Sequence, residues 1–299
     1  MSVIKKIDQY LSLIKFSHTV FALPFALMGF TLGILEVNKT FSWTWFGNNG
    51  LLFVKVLLCM VFARSAAMAF NRYLDRKYDA MNPRTARREV PAGIISPANA
   101  LIFTIANSVL FIATTLFINR TVFYLSIIAL FVILFYSYTK RITALCHLVL
   151  GVGLSLSPIG AYLAVTGYFK LLPVLFSFIV FTWVSGFDII YALQDEEFDR
   201  SQQLHSIPAA LGKKNALMVS NILHAASFCF VIAAGVVGGF HWLFWIGAGI
   251  FSGLLLYQHL LVKPNDLSKV NIAFANTNGI ASILFALFAI TSFIIQTGL

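Results

Sequence analysis

The sequence predicts an all-α polytopic membrane protein, with nine transmembrane helices arranged as two four-helix halves plus one. Composition is the first sign: 59% of the 299 residues are hydrophobic and only 11% are charged, with a mean hydropathy of +0.86. Such a chain has too little polar surface for a water-facing globule. Apolar runs of bilayer length, about 18–24 residues, are the second sign. The third is that basic residues alternate from one side of these runs to the other. No linker rich in Pro, Gly or Ser interrupts the runs, so residues 1–299 read as a single domain.

In chain order, residues 3–14 read as a short amphipathic helix lying in the interface. Lys5 and Lys6 are followed by Asp8 and by no small-residue cleavage site, so no cleavable signal is expected. The spans are then expected over 18–36, 51–71, 98–118, 121–138, 144–166, 170–191, 214–238, 241–262 and 273–296. With the N-terminus in the cytoplasm, Lys15, Arg72, Arg76, Lys77, Arg84, Arg87, Arg88, Lys140, Arg141, Arg200, Lys213, Lys214, Lys263 and Lys269 fall inside. Lys39, Lys55, Arg120 and Lys170 fall outside. That bias orients the chain. It also accounts for the formal charge of +10 without a nucleic-acid partner. Two long polar connections, 72–97 and 192–213, lie on the cytoplasmic side and are the expected mouth of a site. Cys59, Cys146 and Cys229 sit in separate spans without metal or disulfide spacing and read as packing residues.

The chain has eleven acidic residues, and eight of them lie in or beside two places. These are Asp75-Arg-Lys-Tyr-Asp79 and Asp195-Glu-Glu-Phe-Asp199, each of the form Asp-x-x-x-Asp and each following an apolar run. They end the second and sixth spans. An offset of four helices returns them to the same side with the same polarity, which suggests a repeat about the membrane normal. Residues four apart share a helix face, so Asn71, Asp75 and Asp79 form one polar stripe, and Asp188, Tyr191 or Ala192, Asp195 and Asp199 are expected to continue another. Carboxylates suit a divalent cation, and Mg²⁺ characteristically binds through a few of them together with substrate phosphates. The competing reading is of ordinary helix-end charges paired with Arg76 and Lys77.

Asp188 lies among Trp183, Phe187, Ile189 and Ile190, inside a hydrocarbon-length run. An ionisable group there is costly and marks function, or else a hydrogen bond to a neighbouring helix. Arg64 is likewise inside a span. Arg72, Arg84, Arg87 and Arg88 crowd the following loop, and Lys140 closes Tyr136-Ser-Tyr-Thr-Lys140. Arg forks and Lys point charges neutralise diphosphate oxygens, although each loop arginine is equally a topology signal. His18 and His205 are candidate substrate contacts, or simply histidines hydrogen-bonded in place.

These residues resemble the UbiA superfamily of intramembrane aromatic prenyltransferases. The family's Asn-Asp-x-x-Asp-x-x-x-Asp appears here as Asn71-Arg-Tyr-Leu-Asp75-Arg-Lys-Tyr-Asp79, followed by Asn82-Pro-Arg84-Thr-Ala-Arg87-Arg88. A second motif runs from Asp188 through Tyr191 to Asp195 and Asp199, and the family's Tyr-x-x-x-Lys is Tyr136 to Lys140. The resemblance implies a nine-helix UbiA-type fold and Mg²⁺-dependent transfer of a polyprenyl group from its diphosphate to an aromatic ring. Asp75, Asp79, Asp195 and Asp199 would hold the metal. Asn71, Arg64, Arg72, Tyr136, Lys140, Arg84 and Arg88 would hold the diphosphate, and Asp188 or a diphosphate oxygen would take the ring proton. His18, Tyr191 and His205 would face the acceptor.

One departure is Arg72, where the family commonly has Asp. With Lys15-Phe16-Ser17-His18 and Leu204-His205-Ser206 it resembles the 4-hydroxybenzoate polyprenyltransferase-like subgroup, similar to enzymes that prenylate 1,4-dihydroxy-6-naphthoate in the futalosine route to menaquinone. Both acceptors are hydroxylated aromatic acids of ubiquinone or menaquinone biosynthesis. The resemblance thus implies a bacterial inner-membrane enzyme with a cytoplasmic catalytic face. Arg72 also makes the first cluster the more cationic, so metal is expected to lean on the second cluster and phosphate on the first. The rival from another class is a secondary transporter with paired acidic sites. Its charges belong near the bilayer midplane, whereas these lie at helix ends.

Overall fold

The computed structural model describes residues 3–14, 21–39 and 43–298. Helices run α1 Val3–Leu13, α2 Leu23–Asn38, α3 Trp43–Met81, α4 Pro97–Leu116, α5 Arg120–Thr139 and α6 Cys146–Thr166. They continue as α7 Leu171–Ala192, α8 Glu196–Ser201, α9 Ile207–Gly238, α10 Trp242–Leu261 and α11 Asn278–Gly298. Among the described residues eight helical segments are long and apolar enough to cross a membrane, and α2 is a shorter apolar helix. Its 16 residues rise about 24 Å, short of a hydrocarbon core of about 30 Å. The first expected span therefore begins at Leu23, with Pro24 in its first turn, and its proposed start at 18 lies outside the described residues.

Helix starts follow local chemistry. The Ser96 hydroxyl accepts from the Asn99 amide at the head of α4, Asn119 Oδ1 accepts from Val122 at α5, and Ser206 accepts from Ala209 at α9. Each cap satisfies an amide that has no partner within its helix. At the tail of α6, Gly167 takes φ 78° and closes the helix in a left-handed turn. Gly212, at φ 75°, breaks α9 near its start.

The helices differ in how they meet. α7 is the axis of the bundle, packed between α6 and α9, and its Phe176, Ile179, Val180, Trp183 and Val184 are fully buried. α2 seats closely on α6 and α11, and meets α3 through Phe30 and Ile34 against Val56 and its neighbours. Small residues permit the close α2–α6 approach: a Cβ built on Gly29 would lie 2.0 Å from the Pro158 carbonyl oxygen. In a bilayer such contact between backbones is a main source of helix association. Gly29→Ala is therefore expected to cost about 1–3 kcal/mol, read as a lower thermal midpoint of the detergent-solubilised protein. Gly160→Ala, on the same helix pair but facing open space, should leave it unchanged.

The head of α11 widens into a π-helical turn over Ile272–Thr277. Asn278, fully buried, donates to the Ala273 and Phe274 carbonyls and accepts from Trp183 Nε1 at 2.8 Å and Gln258 Nε2 at 2.7 Å. The carbonyls loosened by the turn are thus satisfied inside protein, as a membrane interior requires.

Candidate active site

α3 is 39 residues long, and its last turns carry Asn71, Asp75 and Asp79 as the expected continuous stripe. The α5 C-terminus, the α6 N-terminus, the α7 C-terminus and the α9 N-terminus converge on the same end of the bundle. They enclose a cavity of about 160 Å³ lined by all five motif aspartates, Asp75, Asp79, Asp188, Asp195 and Asp199. Asn71, Arg84, Arg88, Tyr136, Lys140, His147 and Tyr191 are among the other residues of its wall.

The second motif departs from an unbroken helix. α7 ends at Ala192, a 3-10 turn covers Leu193–Asp195, and α8 resumes at Glu196. Tightening three residues from 3.6 to 3.0 per turn advances the following side chains by roughly 60°. Asp195 and Asp199 consequently leave the straight line of the Asp188 stripe, yet both remain on the cavity.

Each cluster carboxylate has its own cation. Arg141 Nη2 lies 2.7 Å from Asp75 Oδ1, Arg88 Nη1 2.8 Å from Asp79 Oδ1, and Lys140 Nζ 2.7 Å from Asp199 Oδ1. Arg84 grips Asp195 with two nitrogens, one at 3.0 Å, and donates to the Tyr191 hydroxyl at 2.9 Å. Neutral donors add to these: Asn71 on Asp75 Oδ2 at 2.8 Å, Ser206 on Asp199 Oδ2 at 2.8 Å, and Asn82 on Asp195 Oδ1 at 3.1 Å, the oxygen it shares with Arg84. The turn after α3 aims these groups, because Asn82 Oδ1 accepts from the Arg84 amide and Thr85 bonds the Asp79 carbonyl. Burial works against the Lys140 charge, and the Asp199 carboxylate overturns this, holding the ammonium above its ordinary range. The same balance, burial against Asp195, raises Arg84.

The more cationic character expected of the first cluster is absent: each cluster carries two cations, and Arg84 crosses from the first loop to the second motif. Glu196 and Glu197 turn away towards Arg200 and Lys213. Arg72 is buried and donates to Asn71, while Arg64 sits deeper in α3, and neither lines the cavity. Arg76 stacks on Tyr73 rather than on a motif aspartate. His205 is exposed and acts through its backbone, its amide donating to the Lys140 carbonyl at 2.7 Å. His18 lies outside the described residues. Arg141 and His147 are site residues to which the sequence reading assigned no role, and Asn82 and Ser206 stood only within quoted motifs. Ser206 carried a signal, a serine two residues before Pro208 at a helix start. His147 carried none, being 41 residues from its partner Asp188.

The donor set fits Mg²⁺ in one particular manner. No group of three or more His, Cys, Asp or Glu among the described residues converges as a ready cage. Asp79 Oδ2, however, is buried without a hydrogen-bond partner, although Arg88 holds the other oxygen of that carboxylate. Carboxylates spread around a cavity and sharing an ion with substrate phosphates are how Mg²⁺ is usually held. A second hollow of about 300 Å³ between α9 and α10, lined by Lys214, Asn221, His259 and Lys263, contains no carboxylate and lies apart.

Fold and site together define an integral membrane protein with an aspartate-rich polar mouth at one end of a helical bundle. Comparison with known proteins makes the class specific. The model of the UbiA prenyltransferase family matches residues 22–294, so the chain belongs to that family and is a prenyltransferase. A 4-hydroxybenzoate octaprenyltransferase of Aliivibrio salmonicida is 30% identical over 230 residues, 77% of this chain and 80% of that protein. One of Tolumonas auensis is 27% identical over 246 residues, 81% and 86% respectively. Among solved structures, the apo form of a UbiA homolog from Aeropyrum pernix K1 superposes with a TM-score of 0.76 at 29% identity, covering 94% of this chain and 98% of that one. A UbiA homolog from Archaeoglobus fulgidus bound to DMAPP and Mg²⁺ has the same fold, with a TM-score of 0.70 at 21% identity over 96% and 99%. Family membership sets the transporter reading aside.

Proposed function

We propose that this chain transfers a polyprenyl group from a polyprenyl diphosphate to a hydroxylated aromatic acid, of the 4-hydroxybenzoate or 1,4-dihydroxy-6-naphthoate type. The step would serve quinone biosynthesis, with the cavity on the cytoplasmic face of a bacterial inner membrane. The observation that carries this reading is that the four carboxylates lining one cavity are each paired with a cation, three of which line it as well. An Mg²⁺-bound diphosphate offers these groups new partners: metal for the carboxylates, phosphate oxygens for Arg84, Arg88 and Lys140. The names of the relatives and the DMAPP and Mg²⁺ bound by the A. fulgidus protein support the substrate classes.

Asp75, Asp79, Asp195 and Asp199 would hold Mg²⁺, which supplies charge neutralisation to the leaving diphosphate. Arg84, Arg88 and Lys140 stabilise the same developing charge as preorganised donors. The allylic C–O bond breaks with its electron pair going to the diphosphate, and the ring carbon beside the hydroxyl attacks the allylic cation. The proton on that carbon passes to Asp188, its C–H electron pair restoring the ring. Tyr191 would face the acceptor and Tyr136 the diphosphate, and both line the cavity with Asp188. His205, exposed, is given no acceptor contact.

The test is purified protein with Mg²⁺, farnesyl diphosphate and each aromatic acid in turn. Diphosphate release matched by prenylated acid is expected, with a chelator abolishing both and added Mg²⁺ restoring them. No product across both acceptors and a panel of related acids would refute the assignment.

A further inference from the structure

We infer that His147 is a positioning residue that holds Asp188 as the proton acceptor, an assignment that rests on the prenyl-transfer reading above. His147 is at the N-terminus of α6 and its side chain is only 4% exposed, whereas that of Asp188 is 19% exposed. Its Nδ1 lies 2.7 Å from Asp188 Oδ2. The other ring nitrogen, Nε2, accepts a hydrogen bond of 3.4 Å from the backbone amide of Ile207.

The amide favours one tautomer of the neutral ring. A backbone N–H only donates, so Nε2 presents its lone pair and the neutral imidazole carries its proton on Nδ1. Nδ1–H therefore donates to Asp188, and Asp188 Oδ2 is the accepting oxygen. Among the described residues no other group hydrogen-bonds this carboxylate. Oδ1 accordingly keeps its lone pairs for the cavity, beside Tyr136 and Tyr191. When the prenylated ring carbon loses its proton, the C–H bond breaks, its electron pair returns to the ring and the proton lands on Oδ1. His147 keeps its own proton throughout and touches no reacting atom.

The anchor of the imidazole is itself part of the diphosphate end. Ile207 follows Ser206, whose hydroxyl donates to Asp199, and His205 is tied through its amide to the Lys140 carbonyl. The carboxylate that takes the proton is thus registered, through one histidine, to the segment that holds a diphosphate-side carboxylate.

The experiment compares wild type with His147→Leu and His147→Asn, using acceptor acid deuterated at the ring carbon that is prenylated. Asn presents an amide donor near the Nδ1 position, and Leu presents none. In His147→Leu, kcat is expected to fall about 10²-fold, the size of effect that follows from misplacing a reacting group by an ångström. KM for the prenyl diphosphate should be unchanged, and a primary deuterium isotope effect on kcat should emerge or grow as proton removal becomes limiting. His147→Asn should recover most of kcat and suppress the isotope effect. Wild-type kcat in His147→Leu overturns the inference, as does a loss that Asn does not rescue and deuterium does not deepen. Should the leucine variant fail to fold, His147→Phe, whose flat ring fills the imidazole's place without a donor, takes its place with the same expectations. Absence of product from wild type overturns the function itself, which separates the two failures.

Discussion

Asp199→Asn is expected to lower turnover on the order of 10²- to 10³-fold, the loss that follows from removing one preorganised electrostatic group. Asp199 is fully buried, faces Lys140 at 2.7 Å and accepts from Ser206. Asparagine keeps an oxygen for Ser206 and loses only the charge. Its stability cost is correspondingly small, because the Lys140 side chain is 34% exposed and water solvates the ammonium left behind. Lys140→Met is the opposite case, leaving a buried carboxylate without its cation at a cost of about 3–5 kcal/mol. The double variant should regain most of the stability lost in Lys140→Met and none of the activity. Thermal unfolding in detergent reads the first, and prenylated product the second. Activity restored in the stable double variant would reduce the pair to a structural clamp.

What the sequence disclosed about this site was limited by distance along the chain. Asp75 and Asp79 were legible because they repeat on one helix face within a few residues, and the second cluster because it copies that pattern four spans later. The pairing of clusters with cations was not legible. Arg84 reaches Asp195 across 111 residues and Arg141 reaches Asp75 across 66. In the sequence both arginines look like the topology charges that surround them. Arg72, which the motif comparison made conspicuous, proves to be buried against Asn71 and away from the cavity. The fold shows the same division. The hydrophobic runs located the spans, because burial in lipid demands length and apolarity. They could not show that α2 packs on α6, since that contact depends on Gly29 and Gly33 meeting Pro158 and Val165. The 3-10 turn at Leu193–Asp195 and the π-helical turn before Asn278 were equally hidden, as neither has a breaker residue within it.

Asp188→Asn separates two destinations for the ring proton. The asparagine side-chain oxygen can still accept from His147 Nδ1–H, so the local geometry survives and only basicity is lost. If Asp188 takes the proton, kcat for prenylated product should fall by about 10²- to 10⁴-fold, with KM for the prenyl diphosphate unchanged. Ionisation of the diphosphate precedes that step and does not need Asp188. The allylic cation, or the ring adduct reverting to it, is then open to capture by water, so diphosphate release should outrun prenylated product in the variant and match it in wild type. Asp188→Leu is the structural counterpart: it removes the acceptor of the buried His147 donor, and leaving such a group unpaired costs about 1–3 kcal/mol. A role confined to satisfying His147 would leave Asp188→Asn fully active and damage only Asp188→Leu. Full, coupled turnover in Asp188→Asn would therefore assign the proton to a diphosphate oxygen, with the histidine–aspartate pair serving the fold alone.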